Sequence, residues 1–336
     1  MGSRGMKGTV RAVLLVLISL SLADSLHVRP ASTTFRPSVS AFEPPRSNCI
    51  SSPPRVGRSR RLAAIRGGAA SGLGKLLASA GGLATSAGVT GAANFFGLLF
   101  TLVTGSHKLT DLVGSGCFVL SALATLILGE HTDSPRLIAS TSLISVWSIR
   151  LASFLFYRIL KTEKDDRLGK VFATTQGTVV FWTLSFLWGF VVLLPHSMSS
   201  FAAKQAPMDG VGIAASGVAA LAFVVEAVAD WQKWNFKLGP DGKKKWCAEG
   251  LWGLSRHPNY AGEMTFWWAI FALNAPNLSC CWANVALGAV SPVFITSLLL
   301  WVSGVNLAEA RNDEKYGENQ EYLAYKKNTP LLFPGL

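Results

Sequence analysis

Charge is scarce in this sequence, and what there is leans to one sign. Only 15% of the 336 residues are charged, half are hydrophobic, and the mean hydropathy is positive at +0.35. A soluble globule would lack the polar surface to cover itself, so the class that remains is a polytopic membrane protein. Acidic residues are nearly missing from the first 66 positions, where Asp24 and Glu43 stand against eleven Lys and Arg. Most of the formal charge of +12 therefore sits at the N-terminus, the rest of the chain is close to neutral, and no nucleic-acid partner is implied. Cysteine is sparse too. Cys49, Cys117, Cys247, Cys280 and Cys281 show no Cys-x-x-Cys spacing, so neither a zinc site nor a disulfide framework is suggested and no metal is expected.

What is present begins with an address. Arg4, Lys7 and Arg11 precede VLLVLISLSLA, a run short for a span and followed by small residues, which is the layout of a signal peptide over residues 1–23. Residues 24–66 hold eight Arg, many Ser, Thr and Pro and almost no acid, the composition of an organelle transit peptide that cannot bury a core. The two in series resemble the bipartite presequences of algae with complex plastids. SVSAFEPP resembles the Ala-Phe junction of those presequences, with Phe42 as the first transit residue. The apolar core ends near Ala23, well before Phe42, which departs from that spacing. The expectation is a plastid membrane; the alternative is a disordered luminal tail on a protein of the endoplasmic reticulum.

Residues 67–91 are Gly-rich and read either as the end of a linker or as the start of a tightly packed helix. The membrane domain is placed at 92–336, with apolar stretches at 92–104, 109–129, 137–157, 178–194, 211–229, 264–273 and 282–305. A hydrocarbon core of ~30 Å needs ~20 residues, so the first and sixth are short. The fold expected is an all-α membrane bundle of about six or seven spans. Lys and Arg crowd the connections after the third, fifth and last spans and are rare in the alternate ones. By the positive-inside rule the basic loops share the cytosolic or stromal face, and a polar cavity is expected to open there.

Some polar residues sit where a bilayer does not tolerate them idly. Arg150 lies inside the third span, where an uncompensated Arg costs roughly 2.5–3.5 kcal/mol on insertion scales. Glu226, Asp230, Lys233 and Lys237 recur at helical spacing along the fifth. An ion pair such as Arg150 with Glu226 that fixes helix register explains part of this; a functional cavity explains the whole. In LWGLSRHPNYAGE, Pro258 and Glu263 suit a helix start. Arg256, Asn259 and Tyr260 add a planar cationic fork and directional hydrogen bonds beside free helix N–H groups, a plausible grip on an anionic cofactor. His257 taken alone reads more simply as a structural hydrogen bond. Tyr316, Tyr322 and Tyr325 near the Pro-bounded end favour a packed lid over a solvated tail.

WSIRLASFLFYR with EKDDR, then EAVADWQKWNFK, GLWGLSRHPNYAGE, and VSGVNLAEA with EYLAYKKNTPLLFP resemble, in that order, the DUF1295-like membrane family related to the steroid 5-alpha-reductase C-terminal domain. The wider superfamily includes sterol reductases and isoprenylcysteine carboxyl methyltransferases. The resemblance implies NADPH in a polar cavity and an apolar, lipid-like substrate entering from the bilayer. It makes Arg150, Asp230, Lys233, Arg256, His257, Asn259, Tyr260 and Glu309 cofactor-binding residues, with Asp166 and Arg167 beside Arg150, and Tyr260 and Glu263 catalytic. EKDDRLGK departs from the family pattern at Leu168, where an aromatic is common. No Gly-x-Gly-x-x-Gly follows a strand, so the cofactor would be held among helix ends. The function implied is reduction of a polarised C=C bond in a lipid. The alternatives are an S-adenosylmethionine-dependent methyltransferase and a non-catalytic lipid-binding protein.

Residues 1–66 fused to a fluorescent protein are expected to enter the plastid of a cell with complex plastids, and Phe42→Ala to divert the fusion. Retention of the unaltered fusion in the endoplasmic reticulum would reject the plastid assignment.

Overall fold

A computed structural model describes residues 58–162, 171–242, 244–279 and 281–334. The signal-like segment, most of the transit-like segment, and Asp166, Arg167 and Leu168 lie outside the described residues. The described chain is helical throughout: α1 (Arg58–Thr104), α2 (Thr110–Leu128), α3 (Pro135–Thr162), α4 (Thr175–Val192), a short α5 (Leu194–Ser200), α6 (Gly210–Leu238), a one-turn α7 (Leu251–Leu254), α8 (Pro258–Leu278), α9 (Trp282–Ser297), α10 (Val305–Tyr316) and α11 (Gln320–Asn328). A π-helical turn, Leu298–Val302, joins α9 to the break before α10. Six stretches are long and apolar enough to cross a membrane: Ala80–Thr104, Thr110–Leu128, Pro135–Lys161, Thr175–Val192, Gly210–Leu238 and Trp282–Tyr316.

The fifth and last spans run past the apolar stretches read from the sequence, to Leu238 and Tyr316, and two further differences each have a physical reason. The first span takes in Gly-rich sequence ahead of residue 92, because that stretch continues α1 instead of breaking it. Small residues let this helix lie close to its neighbours. A Cβ on Gly82 would sit 1.9 Å from the Ser197 carbonyl oxygen, and Ser86 accepts a 2.9 Å hydrogen bond from Ser121 on α2. The short run at 264–273 is the middle of the 21-residue α8. Its polar ends lower the hydropathy but are enclosed: Asn274 donates to Ser140, and Asn277 to Ser199 and Gln205, at 2.6–2.8 Å. α8 therefore runs through the bundle with its polar groups satisfied by protein.

The core around α8 is aromatic. Trp147 meets Trp267 edge-on at 5.0 Å between ring centroids and stacks on Phe266 at 5.8 Å, while Phe118 packs on Trp188 at 4.7 Å. α3 and α6 run the same way and α8 runs against them. Arg136 near the start of α3 reaches the Leu273 carbonyl near the end of α8, whereas Arg150 further along α3 reaches Glu226 and Asp230 toward the end of α6. Hence the C-terminal ends of α3 and α6, the N-terminus of α8, and the tail helices α10 and α11 gather at one end of the bundle.

The opposite end is clamped by Arg136, whose side chain is fully buried. It donates to the Leu273 and Pro207 carbonyls, both at 2.7 Å, and to Asp209 at 2.9 Å. Asp209 in turn caps α6 by accepting from the Gly212 N–H at 2.8 Å. That bond, and then Arg136, hold the Asp209 carboxyl below the usual carboxylate range. Arg136→Ala removes three contacts at once, leaving the Leu273 and Pro207 carbonyls without this donor, and is expected to destabilise the fold. The measurement is the thermal unfolding midpoint in detergent. An unchanged midpoint would show the clamp to be dispensable.

Candidate functional site

The predicted site residues fall into two adjoining groups on the basic end of the bundle. The inner group is centred on Arg150. Its Nη1 donates to Glu226 Oε1 at 2.9 Å, and its Nη2 donates to the Asp230 carboxylate and lies 3.4 Å from the Glu226 carbonyl. Trp147 Nε1 donates to the other Glu226 oxygen at 3.0 Å, tying the ionic cluster to the aromatic core. Glu263, in the second turn of α8, is half-buried and within electrostatic reach of Glu226, Asp230 and Arg150. One guanidinium thus faces three carboxyl groups. The Arg150–Glu226 pair expected as a register lock is formed, and Asp230 shares it.

The outer group lines a cavity of about 270 Å³. Of the predicted residues, Lys233, Arg256, His257 and Glu309 line it; Lys233 continues the α6 stripe three residues beyond Asp230. Arg256 pairs with Glu309 Oε2, and His257 Nε2 meets the other oxygen, Oε1, at 2.8 Å. Burial pushes the His257 imidazole below its ordinary range despite that carboxylate, with Lys233 and Arg256 adding to the effect. The ring is therefore neutral near pH 7, and Nε2–H donates to Glu309. Lys326 from α11 reaches the same carboxylate at 3.5 Å. Asn259 and Tyr260 are buried in the first turn of α8, Tyr260 stacked on His257 at 5.6 Å, and neither lines the cavity.

The residues between the motif and the tail complete the wall. Lys237, Lys245, Arg311 and Lys315 add cations, and Trp246, Tyr316, Tyr322 and Tyr325 add aromatic faces. Trp246 lies 5.2 Å from Tyr322 and 5.6 Å from Tyr316, centroid to centroid. Tyr325 donates to the Trp252 carbonyl at 2.7 Å and Tyr316 to the Lys245 carbonyl at 2.9 Å, so the tail is pinned over the cavity as a lid. Burial pushes both the Tyr322 and Tyr325 phenols up, which keeps them protonated donors. Lys233 sits 4.2 Å over the Trp252 ring, whose Nε1 donates to the Ala229 carbonyl at 2.8 Å. Such a wall suits a ligand with several negative charges and a planar ring. Three buried polar atoms of the motif, Arg256 Nε, His257 Nδ1 and Asn259 Oδ1, have no hydrogen-bond partner among the described residues. Unpaired polar atoms at this density are costly unless something else meets them.

Residues 97–329 match the family described as protein of unknown function DUF1295. The chain belongs to that family. Neither a curated protein nor a solved structure matches it. The DUF1295 match runs from the second half of the first span to the end of α11 and includes all the residues of both groups. Neither Trp246 nor Trp147 stands out in the sequence as a site residue. A Trp directly after a Lys run was the available signal for the first; an indole one turn before Arg150 was the signal for the second.

This geometry requires the basic loops and the tail to face one compartment. Single cysteines at Lys161, Lys244 and Lys327 are expected to be labelled from one side of sealed vesicles, and one at Lys204 from the other. Labelling of the first three from different sides would separate the walls of the cavity.

Proposed function

We propose that this DUF1295 protein is a membrane-embedded reductase that uses NADPH to saturate a polarised C=C bond in a lipid. The observation that carries the reading is a cationic, aromatic-walled cavity whose Lys233 stands one helical turn along α6 from Asp230, a member of the ionic cluster between membrane-spanning helices. Phosphates need the cations, a planar base needs the ring faces, and a lipid substrate needs a reaction site at membrane depth. The residues fit the cofactor on these grounds, and the unpartnered Arg256 Nε supplies a further donor. S-adenosylmethionine offers an adenine ring and a single carboxylate, but it has no phosphate and carries a sulfonium cation that the lining cations repel. The geometry therefore favours NADPH over the methyltransferase alternative.

In this reading Lys233, Lys245, Arg256 and Lys315 hold phosphate oxygens. Glu309 keeps Arg256 and His257 in position through the contacts already described. When bound, the nicotinamide supplies a hydride to the carbon β to the substrate's carbonyl. Tyr260 or Glu263 hydrogen-bonds the carbonyl oxygen on which negative charge develops and delivers a proton, so that hydride and proton together add two hydrogens across the double bond. Arg150, held by Glu226 and Asp230, keeps these acids from repelling one another in a site shielded from water.

The test is cofactor binding to detergent-purified protein by calorimetry. NADPH is expected to bind, and Arg256→Ala and Lys245→Ala to weaken it by roughly ten- to a hundredfold, the effect of losing ~1.5–3 kcal/mol of charge-assisted contact. Lys245 is half-exposed, at 54% of its side chain, so its variant is expected to keep the parent's melting temperature. Parent-like affinity in both variants makes the motif structural, and a parent that binds S-adenosylmethionine while ignoring NADPH is a methyltransferase.

A further inference from the structure

A second cavity beside the motif has the opposite character. A groove of about 280 Å³ follows the seam between α6 and α8, with Ala222, Ala261 and Gly262 as its floor and Leu221, Leu254 and Phe333 on its flanks. The floor is low because the helices nearly touch there: a Cβ on Gly262 would stand 2.9 Å from the Ala222 carbonyl oxygen. Leu221 is 65% exposed and Leu254 58%. Since α6 is one of the membrane-crossing helices, the groove opens sideways toward hydrocarbon.

Residues 332–334 of the tail line the groove alongside the motif. That hook is anchored to the linker before α8: the Arg256 N–H donates to the Pro330 carbonyl at 2.9 Å, and the Tyr325 phenol to Trp252 as above. The linker has two faces in consequence. Trp252, Arg256 and His257 line the cationic cavity, while Leu254, Ser255 and Pro258 line the groove.

We propose that the groove holds one hydrocarbon chain of a bilayer lipid, and that this chain braces the linker whose other face carries Arg256 and His257. Its lining is almost entirely carbon, which leaves a polar ligand nothing to bond. Its contact with α6 runs from Val218 to Val225, about 10 Å of helix rise, too short for a partner's spanning helix and suited to part of an acyl chain. Bilayer lipid is as apolar as the groove, so the chain is held by contact fit rather than by escape from water. The hook and the low floor supply contact on several sides that a flat helix surface does not. This inference goes beyond the reductase reading and does not require it.

The experiment uses the full chain purified from nanodiscs of dioleoylphosphatidylcholine into a mild detergent, with retained lipid counted by native mass spectrometry. The parent is expected to keep one phospholipid. Ala261→Leu, which fills the floor, and Leu221→Gln, which makes a flank polar without touching the core, are each expected to lower retention about tenfold. If Ala261→Leu fails to fold, Leu221→Gln decides. Stripping the parent of lipid is expected to raise amide exchange at 251–258, and adding dioleoylphosphatidylcholine back to restore protection. Equal retention by parent and variants overturns the proposal, as does linker exchange indifferent to lipid, or a dimer whose formation the same substitutions abolish. NADPH affinity enters none of these readouts, so a protein that binds no NADPH can still pass or fail here.

Discussion

A positive charge inside a membrane-spanning helix has to be met by groups that other helices bring to it. Arg150 on α3 is met by Glu226 and Asp230, one turn apart on α6, and this fixes how far the two helices slide past each other. The same carboxylate accepts from Trp147, so the aromatic core is built in register with the ionic cluster. α8 then closes on α6 at Gly262, against the backbone of Ala222 and Glu226. Three helices are thereby set by one neutralised charge. The α6 face that satisfies Arg150 continues as Lys233 and Lys237 into the cationic cavity, so the cavity's position follows from the same register.

Hydropathy made the starts of five spans legible to within three residues, because lipid-facing helices must be apolar along most of their length. It failed where that requirement lapses. The Gly-rich start of α1 contributes little hydropathy but gains close contact with α5, and the polar ends of α8 face protein instead of lipid. The site was legible to the extent that its residues were improbable where they stood: Arg150 in a span, a stripe of charge on α6, a cluster of polar groups before an apolar run. What could not be read was the division of those residues into an inner cluster and an outer wall, since it depends on the tail folding back across more than 50 residues to place Glu309 on Arg256. Trp246 and the tail tyrosines become neighbours only through that return.

The motif's position between two phases explains its mixed composition. Its linker separates a cavity walled by cations and rings from a groove walled by methyl and methylene groups, and each side demands its own residue types. Arg256 and His257 serve the first; Leu254 and Pro258 serve the second. A segment only a few residues long can do this because the one-turn α7 gives way at Ser255 to extended backbone before α8 begins at Pro258, so its side chains leave in different directions. The backbone bond from Arg256 to Pro330 uses a third direction to hold the tail.

The π turn at Leu298–Val302 bears on that tail as well. A π turn contains one residue more than the α-helical turn it replaces, and one residue is worth about 100° of rotation around a helix axis. α9 faces lipid, yet α10, which leaves the break just after this turn, must present Glu309 to Arg256 and His257. The change of direction is made at Ser303 and Gly304, both out of helical geometry, and a Cβ on Gly304 would stand 2.3 Å from the Leu299 carbonyl oxygen. The lid's electrostatic alignment thus depends on a bend that needs a residue without a side chain, well away from any charge.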